Sequence, residues 1–145
     1  MTKRKFPFHP ILLGYWMIVS CLYYLYVSIT ITTQNISLHS LLLANPLFTL
    51  GVLLTSIMML QTGSLHYIAR LSQSKNGLLG RYLFVLLFQQ IMTGNLIGAG
   101  LVFFYRNQLE NHSENPTSLE KGVVYVSCTI CISLTLLILL ILNRI

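Results

Sequence analysis

The sequence predicts an all-α integral membrane protein: a four-transmembrane-helix bundle with short loops and both termini on the cytoplasmic side (N-in/C-in). Three observations carry that prediction. Four long stretches, at 10–31, 41–61, 82–105 and 122–142, are predominantly apolar and free of charged side chains. The 145-residue chain is 54% hydrophobic and only 8% charged, with a mean hydropathy of +0.71. Its basic residues sit at the connections rather than within the stretches. A helix of ~20 apolar residues crosses the ~30 Å hydrocarbon layer, and a charge at its centre costs ~2.5–3.5 kcal/mol. A soluble domain carries about 25% charged residues, so one membrane domain over 1–145 is the expected organisation.

The first stretch follows Lys3, Arg4 and Lys5. Its apolar run exceeds the ~7–15 residues of a signal-peptide core, and Tyr23, Tyr24 and Tyr26 stand where a small-residue cleavage site would lie. It reads as a retained signal-anchor helix, with Tyr15 and Trp16 near one headgroup level and the three later tyrosines near the other. The short polar connection 32–40 makes the first two stretches antiparallel neighbours. Asn45-Pro46 lies about one turn into the second, where proline frees a carbonyl that needs a partner in lipid. Lys75-Asn76-Gly77 is a turn signal in the connection 64–80. The third stretch holds the most polar cluster within the apolar regions, from Gln89 to Gly100, and the hydrophilic segment 107–121 follows it. The fourth, rich in Leu and Ile, carries Cys128 and Cys131.

The net charge of +6 is explained by topology. Lys3, Arg4, Lys5, Arg70, Lys75, Arg81 and Arg144, seven of the nine basic residues, face the cytoplasm if four spans alternate. Arg106 and Lys121 remain outside, together with every acid, Glu110, Glu114 and Glu120. That is the positive-inside pattern, and anionic lipid accounts for the basic surface without nucleic acid.

Gly94 and Gly98, with Gly100 nearby, would on a continuous helix present a face for close backbone approach. Gln90 and Asn95 would hydrogen-bond across it, making these five residues the expected helix-packing or partner interface. Gln61, Gln89 and Thr93 are the candidate polar lining if the protein is instead an oligomeric pore. Cys128 and Cys131 are the candidate redox pair, since residues three apart on a helix bring their side chains together. The segment Tyr125-Val-Ser-Cys-Thr-Ile-Cys131 resembles the CxxC element of vitamin K epoxide reductases, small four-helix membrane enzymes. That resemblance implies a thiol–disulfide role and also a second cysteine pair after the first helix. Residues 32–40 contain no cysteine, so the likeness stops at this short element.

His9, His39, His66 and His112 are placed near membrane edges or in loops, and no metal-ligand spacing is evident. No cofactor is expected. Carriers coupled to protons or cations use intramembrane carboxylates; the stretches hold none. Asn35-Ile-Ser37 and Asn111-His-Ser113 match the glycosylation acceptor pattern and both fall in expected outer segments. The favoured function is an accessory, assembly, immunity or regulatory subunit acting through helix contacts. A small oligomeric transporter or pore comes second and a membrane thiol–disulfide oxidoreductase third, so catalysis is the less favoured reading. The expected partners are the lipid bilayer and another membrane protein or a second copy. The expected location is the plasma membrane of a prokaryote, or the endomembrane or plasma membrane of a eukaryote.

Overall fold

The computed structural model describes residues 6–145; Lys3, Arg4 and Lys5 lie outside the described residues. Six helices follow one another: α1 (Phe8–Gln34), α2 (Leu38–Ala44), α3 (Pro46–Leu71), α4 (Leu78–Met92), α5 (Leu96–Gln108) and α6 (Ser118–Leu142). Three of them, α1, α3 and α6, are long and apolar enough to cross a membrane.

α1 runs past its expected end because its last turns satisfy their own polar groups. The hydroxyls of Ser28, Thr30, Thr32 and Thr33 each donate to the carbonyl four residues back, at 2.8–2.9 Å. Such back-bonding leaves no hydroxyl seeking water. Asn35 then stops the helix in the left-handed region, φ 54°, which asparagine tolerates better than most residues. Trp16, expected at a headgroup level, is instead fully buried in the core.

The second predicted stretch is divided at Asn45. Pro46 opens α3, where its missing N–H is harmless, and the Asn45 carboxamide oxygen accepts from Leu47 N at 3.0 Å. The carbonyl of Leu42, four residues before the proline, accepts from Thr49 Oγ1 at 2.8 Å. The group that proline frees is thus recovered one turn later. At its other end α3 continues ten residues past 61, since Gln61, Leu65 and Ile68 keep one face buried.

The largest difference from the sequence reading lies in the third stretch. Residues 82–105 do not form one span. They break at Thr93-Gly94-Asn95, where Gly94 takes φ +75°, a conformation nearly free of penalty only for glycine. Asn95 restarts the helix by accepting from Gly98 N at 3.0 Å. α5 then runs back along α4: Arg106 Nε donates to Gly80 O at 3.1 Å, and its guanidinium lies 5.3 Å from the centre of the Phe84 ring. The fifteen residues of α4 make a helix of ~22 Å, short of the ~30 Å hydrocarbon layer.

α1 and α3 pair antiparallel along their length. The His9 and His66 rings are 6.3 Å apart near one end. Further along, Ser20 Oγ donates to Thr55 O at 3.2 Å and Tyr23 Oη to Phe48 O at 2.9 Å. The α4–α5 hairpin packs into the His9 end of this pair, and α6 closes the bundle against α3 and α4. Leu12, Trp16, Leu65, Leu79, Leu83, Leu86 and Val102 fill the shared core with no exposed surface. Leu22, Leu25, Leu136 and Leu140 point outwards, each more than half exposed.

The hairpin corrects the expected topology. The connection after α3 and the segment after α5, which alternating spans would place on opposite faces, form one cap. Lys75 N donates to Glu110 O at 2.9 Å, and Ser74 Oγ donates to His112 O at 2.7 Å. The starts of α1, α4 and α6 therefore share one end of the bundle, and Leu142 lies at the other. The two termini of the described chain are at opposite ends, not together. Asn35 and Asn111 are likewise at opposite ends of the bundle, not at one as the alternating spans would place them.

Candidate functional site

Three polar clusters stand out, and all depend on the hairpin. The first is at its tip. Gln61 Nε2 donates to Gln89 Oε1 at 2.7 Å, and Gln90 Nε2 donates to Gln61 Oε1 and Gln89 Oε1, both at 2.9 Å. All three glutamines are buried. The Thr93 hydroxyl bonds back to the carbonyls of Gln89 and Gln90. Gln61, Gln89 and Thr93 are therefore gathered at one place, but the glutamine amides are spent largely on each other. Polar bonds of this kind contribute ~0.6 kcal/mol on average in membranes; their larger effect is to fix which helices meet.

The predicted interface residues are split by the same turn. Gly94 and Gly98 do not share a helix face, because Gly94 belongs to the turn. A methyl group at Gly98 would meet the side chains of Gln90 and Asn95, so this glycine serves packing inside the hairpin. Asn95 Oδ1 accepts from Tyr15 Oη at 2.7 Å, which ties the tip to α1. A methyl at Gly94 or Gly100 would meet nothing within 4 Å. Those two positions are open.

The second cluster is the cap. Glu114 accepts from Ser72 Oγ at 2.6 Å and from the N–H groups of Gln73 and Ser74, both at 3.0 Å. Ser72 Oγ in turn accepts from Leu79 N at 3.1 Å, at the start of α4. Partial burial pushes the Glu114 carboxyl pKa up, but the three hydrogen bonds and nearby His112 outweigh it and hold it below the usual value. A charged acceptor is what two backbone donors and a hydroxyl favour.

The third cluster was not legible in the sequence. His9, His66 and His112, with Arg70 and Glu110, line an open pocket of about 430 Å³ on the capped end. His112 Nε2 lies 3.5 Å from Glu110 Oε2, and the His9 ring is 5.6 Å from that of Tyr105. The antiparallel pairing of the first two stretches was foreseeable, and it brings His9 level with His66. Placing His112 beside them required the hairpin. Among the described residues, no group of three His, Cys, Asp or Glu is arranged to hold a metal ion.

Cys128 and Cys131 are free thiols, the first half-buried and the second fully buried. The Thr117–Glu120 capping box starts α6 at Ser118, which places Cys128 ~15 Å along the helix. Cys131 lies beside Tyr82 and Gln61 in the interior.

The fold and these clusters define an all-helical protein with three candidate membrane helices and a half-length helical hairpin. No protein-family model, no curated protein and no solved structure matches the chain.

Proposed function

We propose that this is a small multi-pass membrane protein acting through helix contacts as an accessory, assembly, immunity or regulatory subunit. In this reading α1, α3 and α6 cross the bilayer and the hairpin enters from the cytoplasmic face without crossing. Five of the six basic residues described, Arg70, Lys75, Arg81, Arg106 and Lys121, belong to the capped end, and Lys3, Arg4 and Lys5 immediately precede α1 in sequence. The positive-inside rule then makes the cap cytoplasmic and the Leu142 end external.

The observation that carries the reading is the exposed tip of the hairpin. Asn95 is level with Tyr15, and Gln89 with Gln61. Those partners lie ~10–15 Å along α1 and α3 from the capped end, within the hydrocarbon layer of a protein whose long helices span it. Non-helical backbone at that depth persists where protein covers it or where it lines water. Around the turn, Met92 is 53%, Leu96 73% and Ile97 67% exposed, and Gly94 and Gly100 leave room for a close neighbour. Apolar surroundings with open glycines suit a covering helix, from a second copy or another membrane protein, better than a water channel.

The test is photo-cross-linking in native membranes with p-benzoylphenylalanine at Ile97, compared with the same group at the similarly exposed Leu140. A protein adduct at 97 and none at 140 is the expected outcome. If both positions yield only lipid adducts, the covering partner does not exist. A thiol introduced by Gly100→Cys, on α5 where a side chain meets nothing within 4 Å, that reacts with a water-soluble maleimide would favour the pore reading instead.

A further inference from the structure

We propose that the cytoplasmic end of α4 and α5 is a binding site for an anionic phospholipid. Lys75, Arg81 and Arg106 converge on an open pocket of about 510 Å³. No carboxylate lines it. Arg106 is held in place by its bond to Gly80 O and its stacking on Phe84, which leaves its terminal nitrogens to meet a phosphate. Lys75 Nζ is 3.3 Å from the Asn107 side-chain oxygen. The Arg81 side chain makes no hydrogen bond or ion pair among the described residues; only its backbone N–H is engaged, donating to Gly77 O at 3.2 Å. Glu114 shares a smaller neighbouring pocket with Arg81; its oxygens are taken by Ser72, Gln73 and Ser74.

What distinguishes a lipid from a free anion is the surface beneath. Phe84 and Val85 line the cationic pocket and also begin an apolar groove of about 210 Å³ between α4 and α6. Phe88, Met92, Ile132 and Leu136 continue it. From Phe84 to Met92 the helix rises ~12 Å, enough to seat the upper part of an acyl chain. Three cations at headgroup level stand directly above a slot for hydrocarbon. Guanidinium groups take phosphate oxygens in pairs, and basic pockets at the cytoplasmic ends of membrane helices suit anionic headgroups. The site does not depend on whether the protein is an accessory subunit, but it requires the capped end to lie at the membrane surface.

Native mass spectrometry of the detergent-solubilised protein tests this with three probes: dioleoylphosphatidylglycerol, dioleoylphosphatidylcholine and glycerol 3-phosphate. Retention of the anionic lipid should exceed that of the zwitterionic lipid at least about tenfold, and glycerol 3-phosphate in excess should not displace it. Lys75→Gln and Arg81→Gln, which leave the bond from Arg106 to Gly80 intact, should each lower retention about fivefold. Equal retention of the two lipids overturns the proposal, and that comparison needs no variant to fold. Displacement by glycerol 3-phosphate also overturns it, leaving a site for soluble anions.

Discussion

Gly80→Ala is expected to unlatch the hairpin from the cap and to cost ~1–3 kcal/mol, the range for forcing a methyl group into a packed site. Gly80 is buried with no room beside it, and a Cβ there would overlap the carbonyl of Lys75. The obstacle is backbone, so no side chain can rotate away. Moving Lys75 also moves its N–H, bonded to Glu110 O at 2.9 Å, while Gly80 itself donates to Ser74 O at 3.2 Å. Gly63→Ala is the control, since a methyl at Gly63 meets nothing within 4 Å and alanine is the better helix former by ~0.5–1 kcal/mol. Thermal unfolding in one detergent should show Gly80→Ala well below wild type and Gly63→Ala at or above it. Equal midpoints for the two variants would mean that the close approach at Gly80 does not matter.

Glu114→Ala is expected to loosen the same cap from its other side. It strands two backbone N–H groups and the Ser72 hydroxyl; losing a charged acceptor costs ~1.5–3 kcal/mol when donors are buried. The partial exposure of Glu114 moves the expectation towards the low end, since solvent can replace some of the bonds. Glu114→Gln should lose less, because its oxygen can still accept from the backbone. The pH dependence follows from the depressed pKa. The stabilisation is fully present above the ordinary glutamate value of 4.5 and is lost as pH falls through the lower folded value. Protection of the Gln73 and Ser74 amides, taken as exchange relative to the intrinsic rate at each pH, should therefore fall in acid in the wild type more than in Glu114→Gln. Protection factors that change neither with pH nor with the substitution would show that the carboxylate does not hold the cap.

Much of the helical fold was legible because its signals are local. Charge-free apolar runs located α1, α3 and α6, and the extended reach of each came from residues whose role is clear once seen. Thr30, Thr32 and Thr33 carry α1 onward by bonding their own helix, and Thr117 with Glu120 begins α6 four residues before the apolar run. The need of the carbonyl that Pro46 frees was expected, but the division of the second stretch into two helices at Asn45 was not.

The hairpin was not read, for a physical reason. Thr93-Gly94-Asn95 contains glycine and asparagine, both turn formers, but so do many membrane helices. Only non-local contacts decide between a bend and a reversal. Here Arg106 reaches Gly80, and Glu114 reaches Ser72, across sequence separations that no window of hydropathy sees. Read as a span, the third stretch divides the cap between two faces, separates His112 from His9 and His66, and puts Gly94 on a helix face it does not share. Gln61, Gln89 and Gln90 stand out in the sequence as polar residues within apolar stretches, yet their bonding to one another could not be read from one dimension.

The central claim is that residues 82–105 turn back, so that the connections on either side of the hairpin face the same way. Single thiols in a background of Cys21→Ser, Cys128→Ser and Cys131→Ser test it most directly. Asn76→Cys and Asn111→Cys should be protected from an impermeant maleimide in intact cells and react together once the membrane is permeabilised. His39→Cys and Asn143→Cys should react from outside. Reaction of positions 76 and 111 from opposite faces would restore four crossings and contradict the account.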